Sequence, residues 1–269
     1  MKNLTLNTKL LSYFQIFLKQ SFAFRMEAIA NAAFNVAFPI TMIIVWTAVY
    51  RTTGTAAING FTLPQLYVYF FALTLSDAFI MYGIAWSMEY DVNSGSIYTY
   101  LTKPLSYMAS VLAGQAAGLA FYLATAGICV LVIFVALVHV PITAATAAAF
   151  VAELAIASAI SFGIMFMLGC IAFYVPAIEG IIDVSQFIMM FLGGGLVPIA
   201  MFPKWASAVM YILPFQYFYN LPATTLAGLQ PAGQLLPALL FGAAWALLSV
   251  MACIAVWNRA KLRMDTVGV

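Results

Sequence analysis

Charge is what this chain has least of. Only 7% of its 269 residues are Asp, Glu, Lys or Arg, and its mean hydropathy is +1.05, whereas soluble domains carry roughly 25% charged residues. So little polar surface does not cover a water-soluble fold of this length, and the chain reads as an integral membrane protein. The formal charge of +2 comes from scattered residues. No clustered basic stripe is present, so nucleic acid is not an expected partner. Histidine is nearly absent: His139, in "VHVPIT", has no acidic or Cys neighbours and reads as a solvated residue rather than a ligand. The three cysteines, Cys129, Cys170 and Cys253, fall inside apolar runs without disulfide or metal spacing, and read as small buried hydrophobes. Also missing are the GxSxG, HExxH and GxxxxGK[ST] patterns. No catalytic residue, metal site or cofactor is therefore expected on the chain, and it is not expected to hydrolyse ATP through a phosphate-binding loop.

What is abundant is apolar sequence 65% hydrophobic by composition. A bilayer core of about 30 Å needs roughly 20 helical residues, and six stretches qualify, approximately 28–50, 66–85, 108–138, 144–174, 181–199 and 235–257. Strands of a barrel would alternate in polarity, and these stretches do not, so the fold class expected is all-α integral membrane. Residues 1–27 form a cytoplasmic interfacial segment in this reading, 28–257 the transmembrane domain, and 258–269 a cytoplasmic tail. With both termini inside, the cytoplasmic side holds Lys2, Lys9, Lys19, Arg25, Lys103, Arg259, Lys261 and Arg263, against Arg51 and Lys204 outside. The positive-inside rule favours that orientation.

The N-terminus begins with Lys2 but is interrupted by Lys9, Gln15, Lys19 and Arg25, so it is expected to remain on the mature protein rather than act as a signal peptide. Leu10, Leu11, Phe14, Phe17, Leu18 and Phe22 recur at helical spacing, which predicts an amphipathic helix in the inner interface. Between the fifth and sixth stretches, residues 193–231 are semi-apolar but cut by Pro198, Pro203, Pro214, Pro222 and Pro231. Proline breaks straight spans, so short helices dipping into the outer leaflet are expected, with Trp205, Tyr211, Tyr217 and Tyr219 at headgroup depth. No internal repeat of obvious period appears.

Acids inside apolar stretches are costly unless they face protein or water. Asp77 lies near the middle of the second stretch, Glu153 in the outer part of the fourth, and Glu179 and Asp183 near the inner mouth between the fourth and fifth. Asp77 either lines a polar path or subunit interface, or is satisfied locally by Thr74 or Ser76. In the fifth stretch Asp183, Gln186, Met190, Gly193 and Val197 share one helix face, a stripe that suits a partner span or a cavity wall. Gly114 and Gly118 make a GxxxG spacing, by itself a weak sign of helix packing.

One polar stretch interrupts the greasy pattern, "EYDVNSGSIYTYLTKPLS" from Glu89 to Ser106. Asn93, Ser94 and Gly95 supply a turn and helix-start signal, Ile97, Tyr98 and Leu101 a short apolar face, and Pro104 a stop. Exposed aromatic and apolar groups of this kind favour an interface.

That stretch resembles the segment after the second span in ABC-2-type permeases, the membrane subunits of a class of ABC exporters, with Gly95, Ser96, Leu101 and Pro104 in matching places and Glu89 where the family usually has an acid. "GGLVPIAMFPKWASAVMYILPFQYFYNLP" is similar to the family's outer segment before the last span. The likeness covers nearly the whole chain and is nearest to the six-span permeases of a poorly characterised, drug-export-like branch. The sequence departs from the family in having Ser96 where Thr is commoner, and in lacking a basic residue from Met88 to Thr102.

The resemblance implies a coupling helix at Glu89, Asn93, Gly95, Ser96, Ile97, Tyr98, Leu101 and Pro104 that fits an ABC ATPase subunit, present in two copies and carrying ATP and Mg. It implies a second permease chain, identical or homologous, a prokaryotic inner (plasma) membrane, and a pathway along the second and fifth spans. Candidate path or dimer-interface residues are then Phe70, Asp77, Met81, Asp183, Gln186, Met189, Met190 and Gly193. Their largely apolar, methionine-rich character suggests an amphiphilic or lipid-like cargo, exported by alternating access. Two other readings stay open: an ion-coupled secondary transporter using Asp77 or Glu153, and a non-transporting membrane scaffold.

Overall fold

The computed structural model describes residues 6–23, 25–101, 105–128, 132 and 143–267. Helices dominate. In chain order they are α1 (Leu6–Ala23), α2 (Arg25–Thr53), α3 (Leu63–Asp77), α4 (Gly83–Asn93), α5 (Tyr107–Tyr122), α6 (Ala144–Gly169), α7 (Glu179–Leu192), α8 (Lys204–Ile212), α9 (Asn220–Leu226) and α10 (Ala232–Val267). A two-residue hairpin, β1 (Ala57–Ile58) and β2 (Phe61–Thr62), joins α2 to α3. Asn59 and Gly60 both have positive φ there, the signature of the tight hairpin turn that Asn-Gly favours.

Local chemistry sets several helix starts. The Gln65 side chain accepts from the Thr62 backbone N–H at 2.9 Å and Pro64 sits in the first turn of α3. Ser106 accepts from Ala109 N–H ahead of α5, and Thr143 from Thr146 N–H ahead of α6.

Helices α6 and α10 form the most extensive pairing. They come close at Gly163, where an added Cβ would stand 2.7 Å from the Ser249 carbonyl oxygen. The GxxxG pair of α5 does less: a Cβ on Gly114 would meet the Phe17 ring of α1 at an ordinary 3.6 Å, and one on Gly118 would meet nothing within 4 Å. Helix α1 packs along α5 through that Phe17 contact.

Among the described residues two helical stretches, 144–173 and 233–262, are long and apolar enough to cross a membrane by length and composition. The second has a mean hydropathy of 2.3 with only 17% of its most apolar window buried. Leu236, Leu240, Leu247 and Met251 all point outward. A helix so apolar and so little covered is at home in lipid rather than in water.

Three expected features come out differently. The second apolar stretch, expected as one helix over 66–85, is two helices of 15 and 11 residues separated at 78–82. The fifth, expected over 181–199, is a 14-residue helix ending at Leu192, because Gly193 and Gly194 turn the chain there. In the outer segment short helices are present, but Tyr217 and Tyr219, expected at headgroup depth, are 1% and 4% exposed. Their hydroxyls find partners inside the fold, so the rings are drawn into the core, while Trp205 and Tyr211 remain outside. His139, Cys129 and the outer part of the third stretch lie outside the described residues.

Candidate functional site

The gap between α3 and α4 leaves backbone groups without helical partners, in the middle of a greasy chain. Such groups cost several kcal/mol each in hydrocarbon, and irregular backbone at that depth persists only where protein or a cavity receives it. Here α6 receives it: Ser158 Oγ donates to the Phe79 carbonyl at 3.0 Å, and Met81 N–H donates to Ser161 Oγ at 3.2 Å. Within the gap, Phe79 N–H bonds to the Ser76 carbonyl and Ile80 N–H to that of Asp77.

Asp77 is the last residue of α3, at the lip of this gap. Its Oδ1 accepts from the Tyr219 hydroxyl at 2.8 Å. Tyr219 and Tyr82 hydroxyls are also 2.8 Å apart. Since the single Tyr219 proton goes to Asp77, Tyr82 is the donor in the second bond. The local alternatives do not serve Asp77: Thr74 Oγ1 donates to the Phe70 carbonyl, and Ser76 Oγ is buried without a partner. Nearby, Tyr122 of α5 donates to the Thr74 carbonyl at 3.2 Å.

Beside Asp77 lies a cavity of about 140 Å³, walled by Phe38, Leu73, Thr74, Met190, Gly195 and Tyr219. The turn after α7 makes room for it. Gly194 has a φ of +85°, and a Cβ on Gly195 would lie 2.7 Å from Met190 Cγ. The turn is fixed from behind by Tyr69, whose hydroxyl donates to the Gly194 carbonyl at 2.7 Å, and by Asn220, whose N–H donates to the Gly193 carbonyl at 2.9 Å. Asn220 Oδ1 in turn accepts from Ile199 N–H at 3.1 Å.

The structure thus brings Asp77 and Met190 together and separates the other path candidates. Phe70 and Met189 are buried in the core, and Met81 lines a second, apolar cavity of about 540 Å³ with Met108, Leu112 and Phe162. Asp183 is exposed, Gly193 is pressed against the Phe215 carbonyl, and Gln186 has a buried amide nitrogen without a partner. Glu153 is fully buried; one oxygen accepts from Thr225 Oγ1 at 2.8 Å and the other has no partner among the described residues.

The polar stretch after α4 makes a second site. Gly95 has a φ of +73° and closes α4, and Ser96–Leu101 continue as a 3-10 helix. Asp91 braces the pair: its carboxylate accepts from Ser96 Oγ at 2.5 Å and from the Tyr107 hydroxyl at 2.9 Å. Burial, and after it the Asp91 charge, pushes the Tyr107 phenol well above its usual pKa, so it remains the donor. Tyr100 packs edge-on to Tyr107 at 4.9 Å, and Tyr107 stacks on Trp257.

Two residues of this stretch turn inward rather than outward. Ile97, expected on the partner-facing side, is 1% exposed because its own chain covers it. Glu89 is buried and accepts from Ile178 N–H, at the start of α7, at 2.8 Å. Asn93 Nδ2 donates to the Pro176 carbonyl at 2.6 Å in the same connection. Left facing out are Tyr90, Ser94, Tyr98 and Thr99. The Leu101 side chain and Pro104 lie outside the described residues.

Residues 36–266 match the family model described as ABC-2 family transporter protein. The chain belongs to that family. No curated protein matches it. As an ABC-2 permease it is a membrane transport subunit, of a family in which ATP hydrolysis sits on a separate ABC ATPase subunit. Sequence reasoning missed several parts of the permease's two sites: Asp91, Tyr82, Tyr69, Asn220 and the serines of α6. Only Asp91 carried a usable signal, an acid five residues before a serine across a Gly turn.

Proposed function

We propose that this permease is the six-span membrane subunit of an ATP-driven exporter, moving an amphiphilic compound out of the cytoplasm by alternating access. The observation that carries the reading is the bracing of the stretch after α4. Asp91 of α4 ties it to α5, and α4 itself is fixed through Glu89 and Asn93 to the start of α7. Since α4 belongs to the second span and α5 to the third, a push on the stretch's exposed face is delivered to the second, third and fifth spans together, and the second and fifth flank the Asp77 cavity. Closure of two ATPase subunits on ATP and Mg supplies the push, and the chain contributes differences in packing free energy between its inward- and outward-facing states.

In this reading both termini are cytoplasmic, in a prokaryotic plasma membrane, and a second permease chain, identical or homologous, completes the pathway. The apolar face of α7, with Val184, Phe187, Ile188 and Phe191 exposed, suits such a contact. Changing Tyr98, 37% exposed on the outer side of the stretch, to Asp places a charge in the ATPase contact. Copurification with the ATPase should weaken at least about 30-fold, corresponding to ~2 kcal/mol for burying an unpaired polar group. Full retention of the ATPase by Tyr98→Asp removes the docking assignment.

The unpaired buried oxygen of Glu153 favours a second reading, proton-coupled transport. Uptake into inverted vesicles separates the two: the exporter needs ATP, whereas the alternative runs on a proton gradient alone.

A further inference from the structure

We infer that the cavity beside Asp77 is a subsite for a cationic headgroup, so that the cargo is an ammonium-bearing amphiphile with Asp77 as its counter-ion. The inference rests on the transport reading above and narrows its cargo class. At about 140 Å³ the space is close to the roughly 150 Å³ that takes a benzene-sized group. Among the described residues its wall carries one acid and no base.

The chemistry of the wall decides between headgroups. An anion would meet the Asp77 carboxylate and find no free donor, because the Tyr219 hydroxyl is already given to Asp77 and that of Thr74 to the Phe70 carbonyl. A sugar would lose its water to Leu73, Phe38 and Met190, which return no hydrogen bonds. A cation is compensated by the carboxylate and by the rings of Phe38 and Tyr219, the combination that attracts ammonium groups. Among the described residues the other titratable groups turned toward Asp77 are the hydroxyls of Tyr82 and Tyr122, both hydrogen-bond donors and so neutral, and no cation is paired with Asp77. The gap between α3 and α4 is what aims the acid here, since it ends α3 at Asp77 and frees Tyr82 to support Tyr219.

The probe is benzyltrimethylammonium, measured by equilibrium dialysis against the full chain in neutral-lipid nanodiscs, with empty nanodiscs subtracted. Saturable binding is expected, competed by tetramethylammonium and not by benzyl alcohol or benzenesulfonate. Asp77→Asn should weaken it at least about tenfold and Asp77→Glu should keep most of it. Phe38→Leu, which leaves the charge in place, should weaken it about threefold, and it decides the matter if Asp77→Asn fails to fold. Equal competition by the neutral or anionic probe, no saturable binding, or unchanged affinity in the folded Asp77→Asn or Phe38→Leu variant overturns the subsite. None of these results touches ATPase copurification or ATP dependence, whose failure would instead overturn the transport reading.

Discussion

Asp77 is satisfied across the fold and not along its own helix. Its partner, Tyr219, is 142 residues away, while the hydroxyls beside it in sequence are used elsewhere or left alone. The acid was visible in the sequence as an anomaly in a greasy run, but its partner was not, because Tyr219 sits in a proline-cut segment where a tyrosine reads as a headgroup anchor. Glycine gives a similar lesson. The GxxxG spacing at Gly114 and Gly118 marks no close approach, while Gly163, which belongs to no motif, lies against the Ser249 backbone. Gly163→Ala should therefore destabilise the permease by about 1–3 kcal/mol, as overpacking against rigid backbone does. Gly118→Ala should be neutral or slightly stabilising, since alanine is the better helix former by up to about 1 kcal/mol. Melting temperatures of the two purified variants in one detergent check this, and a Gly163→Ala protein as stable as the parent would contradict the packing.

Among the elements, the divided second apolar stretch is the feature that shapes the candidate site. Hydropathy sees 66–85 as one run because the gap residues, Phe79, Ile80 and Met81 among them, are themselves apolar and contain neither Gly nor Pro before Gly83. The gap exists because Ser158 and Ser161 of α6 accept and supply the hydrogen bonds its backbone lacks. Replacing both serines by alanine should cost ~1 kcal/mol per bond, and should raise the reactivity of a cysteine placed at Phe79 if the gap loosens as argued. Helix α7 depends on α4 in the same way, through Glu89 on Ile178 N–H and Asn93 on the Pro176 carbonyl. The double change Glu89→Ala with Asn93→Ala should leave ATPase copurification intact but lower ATP-driven transport about tenfold or more, the scale of a coupling free energy of 1–3 kcal/mol. Glu89→Gln, whose carbonyl still accepts, should retain most of the activity. Transport undiminished in the double variant would mean that the two spans move without this latch.

At the scale of the molecule, the proposed docking to an ATPase requires the handle after α4 to be wet on the inner side. With Cys129 replaced by serine, a cysteine at the exposed Ser94 should react with a membrane-impermeant thiol reagent in inverted vesicles and not in intact cells, above a low background because Cys170 and Cys253 are buried. Reaction from outside only would reverse the orientation and with it the proposed partner. Class, helical character and the two long apolar helices over 144–173 and 233–262 were legible in the chain, because they follow from composition and from runs of local sequence. The family assignment rests on the match over residues 36–266. What only the tertiary structure decided is which groups meet: that the second span divides, that Ile97 and Glu89 face their own chain, and that Asp77 shares a cavity with Met190 and a tyrosine from the far end of the sequence. Hydrophobic burial is additive along a chain and can be read from it, whereas a hydrogen bond in a dry interior requires two groups from distant segments to arrive at one point.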